Sequence, residues 1–162
     1  MTIDQFWSVV EGLPTEGAEH ALEGRLNKLS PEDLVAFDRH FTEQFFRAYD
    51  WQLWNAAYII GRGCSDDSFM DFRYGLISRG RAVFEAALDN PETLAGVVKN
   101  GEDLRNQAFA SVALHVYERK TGTDMPDRGI SHPRNPTGVD WDPDNKELCA
   151  KHLPKLWAKC GW

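Results

Sequence analysis

The segment over residues 51–60, WQLWNAAYII, constrains most strongly what this chain can fold into. Asp50 precedes it with a side chain that can cap a helix, and the ten residues that follow are almost all apolar or aromatic. A helix that is apolar on nearly every side must be enclosed by other elements, because an exposed face would leave apolar surface in water. The sequence therefore predicts a buried central helix with other helices packed around it.

The segments on both sides of this helix carry the signals of further helices. Thr2 and Gln5 form a capping-box pair, Ser30-Pro31 begins a stripe of apolar residues at spacings of three and four, and Ser65 precedes another helix. No run of residues alternates between apolar and polar side chains as a half-buried strand does. The sequence therefore predicts an all-α fold, a compact multi-helix bundle around the central helix.

The predicted helix ends are set mainly by glycine. We expect Gly61 to take the left-handed conformation after the central helix and Gly80 to interrupt the helix that follows it. The apolar pattern also predicts one helix over 16–29 and a last long helix over 102–120, ended by Gly122. Together these elements form a helical core over residues 1–122 of a single 162-residue domain.

The chain changes character after this core. Residues 123–144 contain little apolar surface and four prolines, Pro126, Pro133, Pro136 and Pro143. A structureless stretch of this length is uncommon inside a compact domain, so it is either an extended strap over the helices or a mobile segment. Residues 145–162 return to a helical pattern and predict a C-terminal helix, interrupted near Pro154.

The charge and the cysteine content exclude several classes of function. The formal net charge is −7, from 18 basic and 25 acidic residues, which disfavours binding to nucleic acids and to anionic membrane surfaces. No stretch of 18 apolar residues is present, and the first residues lack the pattern of a secretory signal. Cys64, Cys149 and Cys160 are odd in number and irregularly spaced, which argues against a disulfide framework. We therefore expect a cytoplasmic protein with reduced thiols.

A series of short motifs runs through the helical core. They are Ser30-Pro31-Glu32-Asp33, Ala36-Phe37-Asp38, Trp51-Gln52-Leu53-Trp54, Ala56-Ala57-Tyr58, Gly63-Cys64-Ser65-Asp66-Asp67, Phe72-Arg73, Leu76-Ile77, Gly80-Arg81 and Val83-Phe84. In these motifs, over about residues 1–122, the chain resembles the bacterial family called domain of unknown function 4240. The resemblance implies a small bacterial helical protein, and it implies no activity, cofactor or catalytic residue.

The turn over residues 63–67 is the first candidate site. Cys64 lies just before a helix N-terminus, where the helix dipole lowers the pKa of a thiol, whereas Asp66 and Asp67 raise it, so the direction stays open at this point. In the simpler structural interpretation, Ser65 caps the helix, the two acids complement its dipole and Cys64 fills a small buried space.

Arg73 is the second candidate, because it borders the apolar stripe of its helix. A guanidinium in such a place needs a partner, and several acids of the chain could supply one: Asp50, Asp66, Asp67 or Glu85. In the functional interpretation, Arg73 binds a carboxylate or phosphate in a pocket with Arg79 or Arg81. In the structural interpretation, it forms a salt bridge between helices.

The remaining candidates are aromatic residues and possible metal ligands. Trp51, Trp54 and Tyr58 recur at helical spacing, which is typical of a core but also suits the wall of a ligand pocket. Cys149 and His152 share a helix face, yet two residues do not make a metal site, and the other histidines are scattered. We expect no metal, no cofactor and no catalytic residue, since no catalytic motif is present.

Two functions remain open from the sequence. The favoured hypothesis is a non-enzymatic protein-interaction module, because acidic helix faces can bind a basic protein partner. The alternative is a small-molecule-binding protein or enzyme with a pocket near Trp54, Cys64, Asp66, Asp67 and Arg73. The sequence leaves both the enzymatic activity and the oligomeric state undecided.

Overall fold

A computed structural model describes residues 1–162 and contains helices but no strands. The α-helices are α1 (Ile3–Val10), α2 (Ala18–Leu26), α3 (Pro31–Arg47), α4 (Trp51–Gly61), α5 (Asp66–Ser78), α6 (Arg81–Asp89), α7 (Val112–Thr121), α8 (Lys146–His152) and α9 (Pro154–Cys160). A first 3₁₀ helix spans Pro91–Gly96 and a second spans Gln107–Ser111. The prediction of an all-α fold is confirmed. None of these helices combines the length and the apolar character that crossing a bilayer requires.

The predicted helix starts are found where local side-chain bonds were expected. Thr2 and Gln5 make both bonds of the capping box of α1. The Ser30 and Ser65 hydroxyls accept hydrogen bonds from backbone N–H groups in the first turns of α3 and α5, and Asp50 does the same for α4. Each of these side chains satisfies a backbone donor that has no partner within its own helix.

Helix α4 is enclosed, as its composition predicts. None of its residues is exposed, and Leu53, Ala56 and Ile59 are almost completely buried. The helix packs against α5, α9 and the first 3₁₀ helix. It contributes to one contiguous hydrophobic core of 33 buried residues that includes members of every helix.

Two predicted helix boundaries were wrong. The helix predicted over 16–29 is shorter and spans Ala18–Leu26. Gly61 remains helical, and Arg62 takes the left-handed position with a φ of 55°. The C-terminal segment is interrupted near Pro154 and forms α8 and α9, because Pro154 begins a new helix and leaves Leu153 in a non-helical conformation between the two.

The helix predicted over 102–120 was also wrong in its first half. Residues 102–106 are not helical, Leu104 has a φ of 63°, and α7 begins only at Val112. The cause is a tertiary contact: the Leu104 carbonyl lies so close to α5 that a Cβ on Gly75 would be 1.6 Å from its oxygen. The absence of a side chain at Gly75 lets this loop pack directly against the backbone of α5.

The proline-rich segment 123–144 runs as an extended strap over the helices. Near its start, Arg128 donates two hydrogen bonds, of 2.5 and 2.9 Å, to the buried carboxylate of Asp38 on α3. In its middle, the Thr137 backbone bonds to Tyr49 and Trp51 around the N-terminus of α4.

The end of the strap follows α4. The Trp141 carbonyl oxygen accepts a hydrogen bond of 3.0 Å from the buried amide of Asn55, and the Tyr58 hydroxyl donates one of 2.5 Å to Asp144. Asn55 therefore obtains from the strap a partner that the helices do not provide. The strap is a structural part of the fold, because buried polar groups of α3 and α4 complete their hydrogen bonds on it.

The Asp38–Arg128 pair gives a test of this role. Because Asp38 is 1% exposed, Arg128→Ala leaves its carboxylate buried and unpaired, and we expect a loss of about 2 kcal/mol in the free energy of unfolding, measured with urea. This value allows for the partly exposed Arg128 side chain. Adding Asp38→Asn to this variant is expected to recover part of the loss, because an amide is less costly to bury than a charge.

Arg134→Ala is the matched control for this test. Arg134 is an exposed arginine of the same strap and makes no hydrogen bond or ion pair, so its loss should change the stability by less than about 0.5 kcal/mol. Equal effects of Arg128→Ala and Arg134→Ala would contradict the structural role of the buried pair.

Candidate functional site

The turn between α4 and α5 is held by the central helix. Trp54 donates from its indole Nε1 to the carbonyl oxygen of Cys64, at 3.0 Å, and Ser65 caps α5. Burial raises the pKa of the Cys64 thiol to about 12, so the thiol is protonated at neutral pH. The sequence left open whether the pKa of Cys64 is raised or lowered, and the structure shows that it is raised. Asp66 and Asp67 point into solvent at the start of α5.

Arg73 lies in the core, with 2% of its surface exposed. Its guanidinium carbon is 3.7 Å from the centre of the Phe45 ring and 4.8 and 4.9 Å from the centres of Phe69 and Tyr49. Burial lowers the pKa of Arg73 to about 10. The charge is therefore surrounded by aromatic rings and is largely removed from water.

The acidic partners predicted for Arg73 were wrong. Asp50 caps α4, and Glu85 forms a bidentate ion pair with Arg47. The two aspartates of the 63–67 turn form no ion pair with any basic residue. Arg73 is thus a buried arginine without a carboxylate partner.

Arg79 and Arg81 are engaged elsewhere in the fold. Arg79 forms an ion pair with Glu102 in the loop before α7, and Arg81 bonds to Asp4 of α1 at 2.7 Å. The structure therefore does not bring these arginines together with Arg73 in one pocket.

The aromatic residues of α4 pack against their neighbours. Trp54 stacks between Trp51 and Phe69, with ring centres 5.2 and 4.7 Å apart. Tyr58 lies further along the helix and bonds to Asp144 of the strap. The structure thus brings Trp54 and Cys64 together and places Tyr58 against the strap.

The possible metal ligands near the C-terminus also have other contacts. Cys149 is buried, with its sulfur 3.1 Å from the carbonyl oxygen of Pro143. The His152 ring stacks on Trp141, with ring centres 4.9 Å apart. No three His, Cys, Asp or Glu side chains lie close enough together to hold a metal ion.

A groove lies beside the solvent-facing side of α5. Asp67, Met70, Asp71 and Tyr74 follow one another at helical spacing and line a cavity of about 600 Å³ with the second 3₁₀ helix. A cavity of about 290 Å³ adjoins it, and both have Tyr74, Ala110 and Ser111 in their linings. A third, of about 340 Å³, shares Leu114, Asp127 and Arg128 with the second. We call these three cavities the α5 groove.

The middle of the α5 groove is aromatic and packs against α3. Tyr74 stacks on Phe41 and Phe45 of α3, with ring centres 5.9 and 4.7 Å apart, and Phe46 lies beside them. At one end Met70 is 38% exposed, which is unusual for a large apolar side chain of this protein. The groove therefore presents apolar surface that other helices of the chain do not cover.

The rim of the α5 groove is acidic. The carboxylates that line it are Asp67, Asp71, Glu118, Asp124 and Asp127. Partial burial raises the pKa of Asp71 from its usual value. The basic residue that lines the groove, Arg128, is already paired with Asp38. The groove thus carries an excess of negative charge next to apolar surface.

Most of this groove was not predicted from the sequence. Asp67 was a predicted site residue, but Met70, Asp71 and Tyr74, which follow it at three, four and seven residues, were not. The signal was present, since this spacing places all four on one helix face, opposite the buried side of α5. The contributions of α3, α7 and the strap depend on distant segments and carry no comparable local signal.

The raised pKa of Cys64 gives a direct prediction. Alkylation by iodoacetamide requires the thiolate, so at pH 8 we expect Cys64 in the folded protein to react about a hundredfold more slowly than in the urea-unfolded chain. The tryptic peptide of residues 63–73 allows its labelling to be followed by mass spectrometry. Similar rates in the folded and unfolded protein would show that the thiol is not desolvated.

The chain belongs to the family described as protein of unknown function (DUF4240), whose family model matches residues 1–119. This confirms the resemblance inferred from the motifs of the helical core. No curated protein and no solved structure matches the chain. The match includes α5 and its exposed face and ends within α7, so the strap and the C-terminal helices lie beyond it.

Proposed function

We propose that this DUF4240 protein is a protein-interaction module that binds a basic, amphipathic segment of another protein in the α5 groove. The observation that carries the proposal is the combination, in one concave surface, of exposed apolar side chains with a rim of carboxylates that have no basic partner within the groove. The α5 groove is a specific location for the acidic binding surface expected from the sequence, and its apolar and acidic side chains favour a basic, amphipathic partner.

The apolar part of the α5 groove suits the side chains of a partner helix. Amphipathic helices bind in hydrophobic grooves through anchors at spacings of three, four and seven residues. The groove offers Met70, Tyr74, Phe46 and Leu114 to such anchors, and the stacking of Tyr74 on α3 holds part of that surface in one shape. A preformed surface loses little conformational entropy when it binds.

The charge of the groove favours a basic partner. Asp67 and Asp71 lie on either side of Met70 in sequence, and Asp127 lies on the strap at the other end. A lysine or arginine that flanks an apolar anchor would find a carboxylate near it, whereas an acidic segment would be repelled. The net charge of −7 also increases the rate of encounter with basic partners.

We further propose that the protein works in the cytoplasm. Its cysteines, Cys64, Cys149 and Cys160, are all free thiols. A reducing compartment maintains such thiols without pairing or oxidation.

A peptide-binding measurement tests the α5 groove. The probe is an 18-residue helix with lysine on one face and leucine on the other, and the control is a scrambled peptide of the same composition. We expect the amphipathic peptide to bind more tightly and its affinity to fall with salt, as measured by fluorescence anisotropy. Asp67→Lys/Asp71→Lys should weaken binding about tenfold or more through repulsion.

Asp89→Lys/Asp140→Lys is the matched control for this charge reversal. Both residues are exposed, form no ion pair and lie outside the linings of the α5 groove, and the variant changes the net charge by the same amount. Equal weakening by the two double variants would mean that the peptide responds only to overall charge. Equal binding of the amphipathic and scrambled peptides would contradict the groove itself.

A further inference from the structure

The buried guanidinium of Arg73 occupies a small aromatic enclosure. Its walls are the rings of Phe45, Tyr49 and Phe69, and the side of the enclosure nearest the strap is covered by His132. We call these four residues the Arg73 box. Of the box residues, only Phe45 also lines the α5 groove, so the box is a separate feature from the proposed peptide site.

The hydrogen-bonding capacity of Arg73 is largely unused. A guanidinium has five N–H donors, and here one nitrogen, Nη1, bonds to the Phe45 carbonyl oxygen at 3.2 Å and to His132 Nε2 at 3.4 Å. Nε is buried and has no partner. Buried guanidinium groups are normally paired with a carboxylate, and none is present here. The box therefore has both an uncompensated positive charge and a free donor.

His132 accepts a hydrogen bond from Arg73 in place of the missing carboxylate. Its Nδ1 is 2.7 Å from the carbonyl oxygen of Pro133, which assigns the proton to Nδ1 and leaves the Nε2 lone pair facing Arg73. The imidazole ring packs edge-on against Phe46 and Tyr49, with ring centres 5.1 and 4.5 Å apart. A flat ring that carries a neutral acceptor thus occupies the place where an anion would compensate Arg73.

The strap is weakly held at this point. Its firm contacts are Arg128 with Asp38 on one side and Thr137 with Asp50 on the other. Between them, residues 129–136 make no backbone–backbone hydrogen bond, and residues 131–135 are exposed. His132 can therefore leave the box while the strap remains attached at both ends.

We propose that Arg73 is the anchor of a binding site for a carboxylate carried on a flat apolar group, and that His132 closes this site until such a ligand displaces it. A carboxylate matches the planar fork of a guanidinium with two parallel hydrogen bonds, which would satisfy the donors that are now free. The aromatic walls suit an apolar ring, in the position that the imidazole now occupies.

The charge of the surroundings favours a single negative charge. A phosphate dianion would need a second cation, and the walls of the Arg73 box contain no other arginine and no lysine. One guanidinium in a desolvated enclosure compensates one carboxylate. The ligand is therefore an aromatic or similarly flat monocarboxylate, either a free acid or the carboxylate end of a peptide with an aromatic last residue.

The test is to measure the binding of two carboxylates by calorimetry and to compare each acid with its uncharged amide. Benzoate represents a free acid and N-acetylphenylalanine a peptide end, so their relative affinities distinguish the two sources. We expect each acid to bind and its amide not to bind. His132→Ala, which removes the competing ring, should raise the affinity about tenfold.

Arg73→Met in the His132→Ala background should abolish binding, because it removes the donors while keeping an apolar side chain of similar length. This variant is expected to fold, since no carboxylate loses its partner. Lys120→Met is the control, because it removes one positive charge from an exposed position that makes no hydrogen bond or ion pair. Binding that survives Arg73→Met, or that is lost equally in Lys120→Met, overturns the proposal.

An observation on the unmodified protein keeps the test independent of these variants. Displacement of His132 by benzoate should shift the NMR signals of its ring and of Arg73 Nε–H, and benzamide should leave them unchanged. If saturating benzoate leaves both signals in place, the Arg73 box is not a carboxylate site. Because the α5 groove variants do not touch these residues, either proposal can fail without the other.

Discussion

Enclosure of the apolar helix α4 is the constraint on which the rest of the structure depends. A helix without a polar face must be covered on every side, and here α5, α9, the first 3₁₀ helix and the strap share that task. Trp54 stacks on Phe69 and holds the Cys64 carbonyl, which fixes the start of α5. The direction of α5, and with it the positions of Arg73 and of the groove, follows from this contact.

The strap completes what the helical core leaves unfinished. Asp38 and Arg73 are both buried ionic side chains, yet they do not pair with each other. Asp38 finds its partner in Arg128 and Arg73 finds a weaker one in His132, both on the strap. The same segment forms one wall of the α5 groove. Residues beyond the family match therefore shape both surfaces that we propose as functional.

Helix α5 connects the two proposals through its opposite faces. Phe69 and Arg73 point towards α3 and α4 and form the aromatic enclosure, whereas Asp67, Met70 and Tyr74 point towards the groove. The sequence marks Arg73 as an unusual charge on an apolar stripe, but it does not reveal the side chains that surround Arg73. Those include Tyr49 and His132, which lie 24 residues before and 59 residues after it.

The sequence by itself determined the helices, most of their starting points and the burial of α4. These features rest on interactions within one or two helical turns, such as the Thr2 and Ser30 caps and the spacing of apolar residues. Tertiary structure decided where the chain departs from helix, as at Leu104 against Gly75, and which buried charges meet a partner. The physical reason is range: a cap joins residues three apart, whereas the groove and the Arg73 box are made by side chains that only the complete fold brings together.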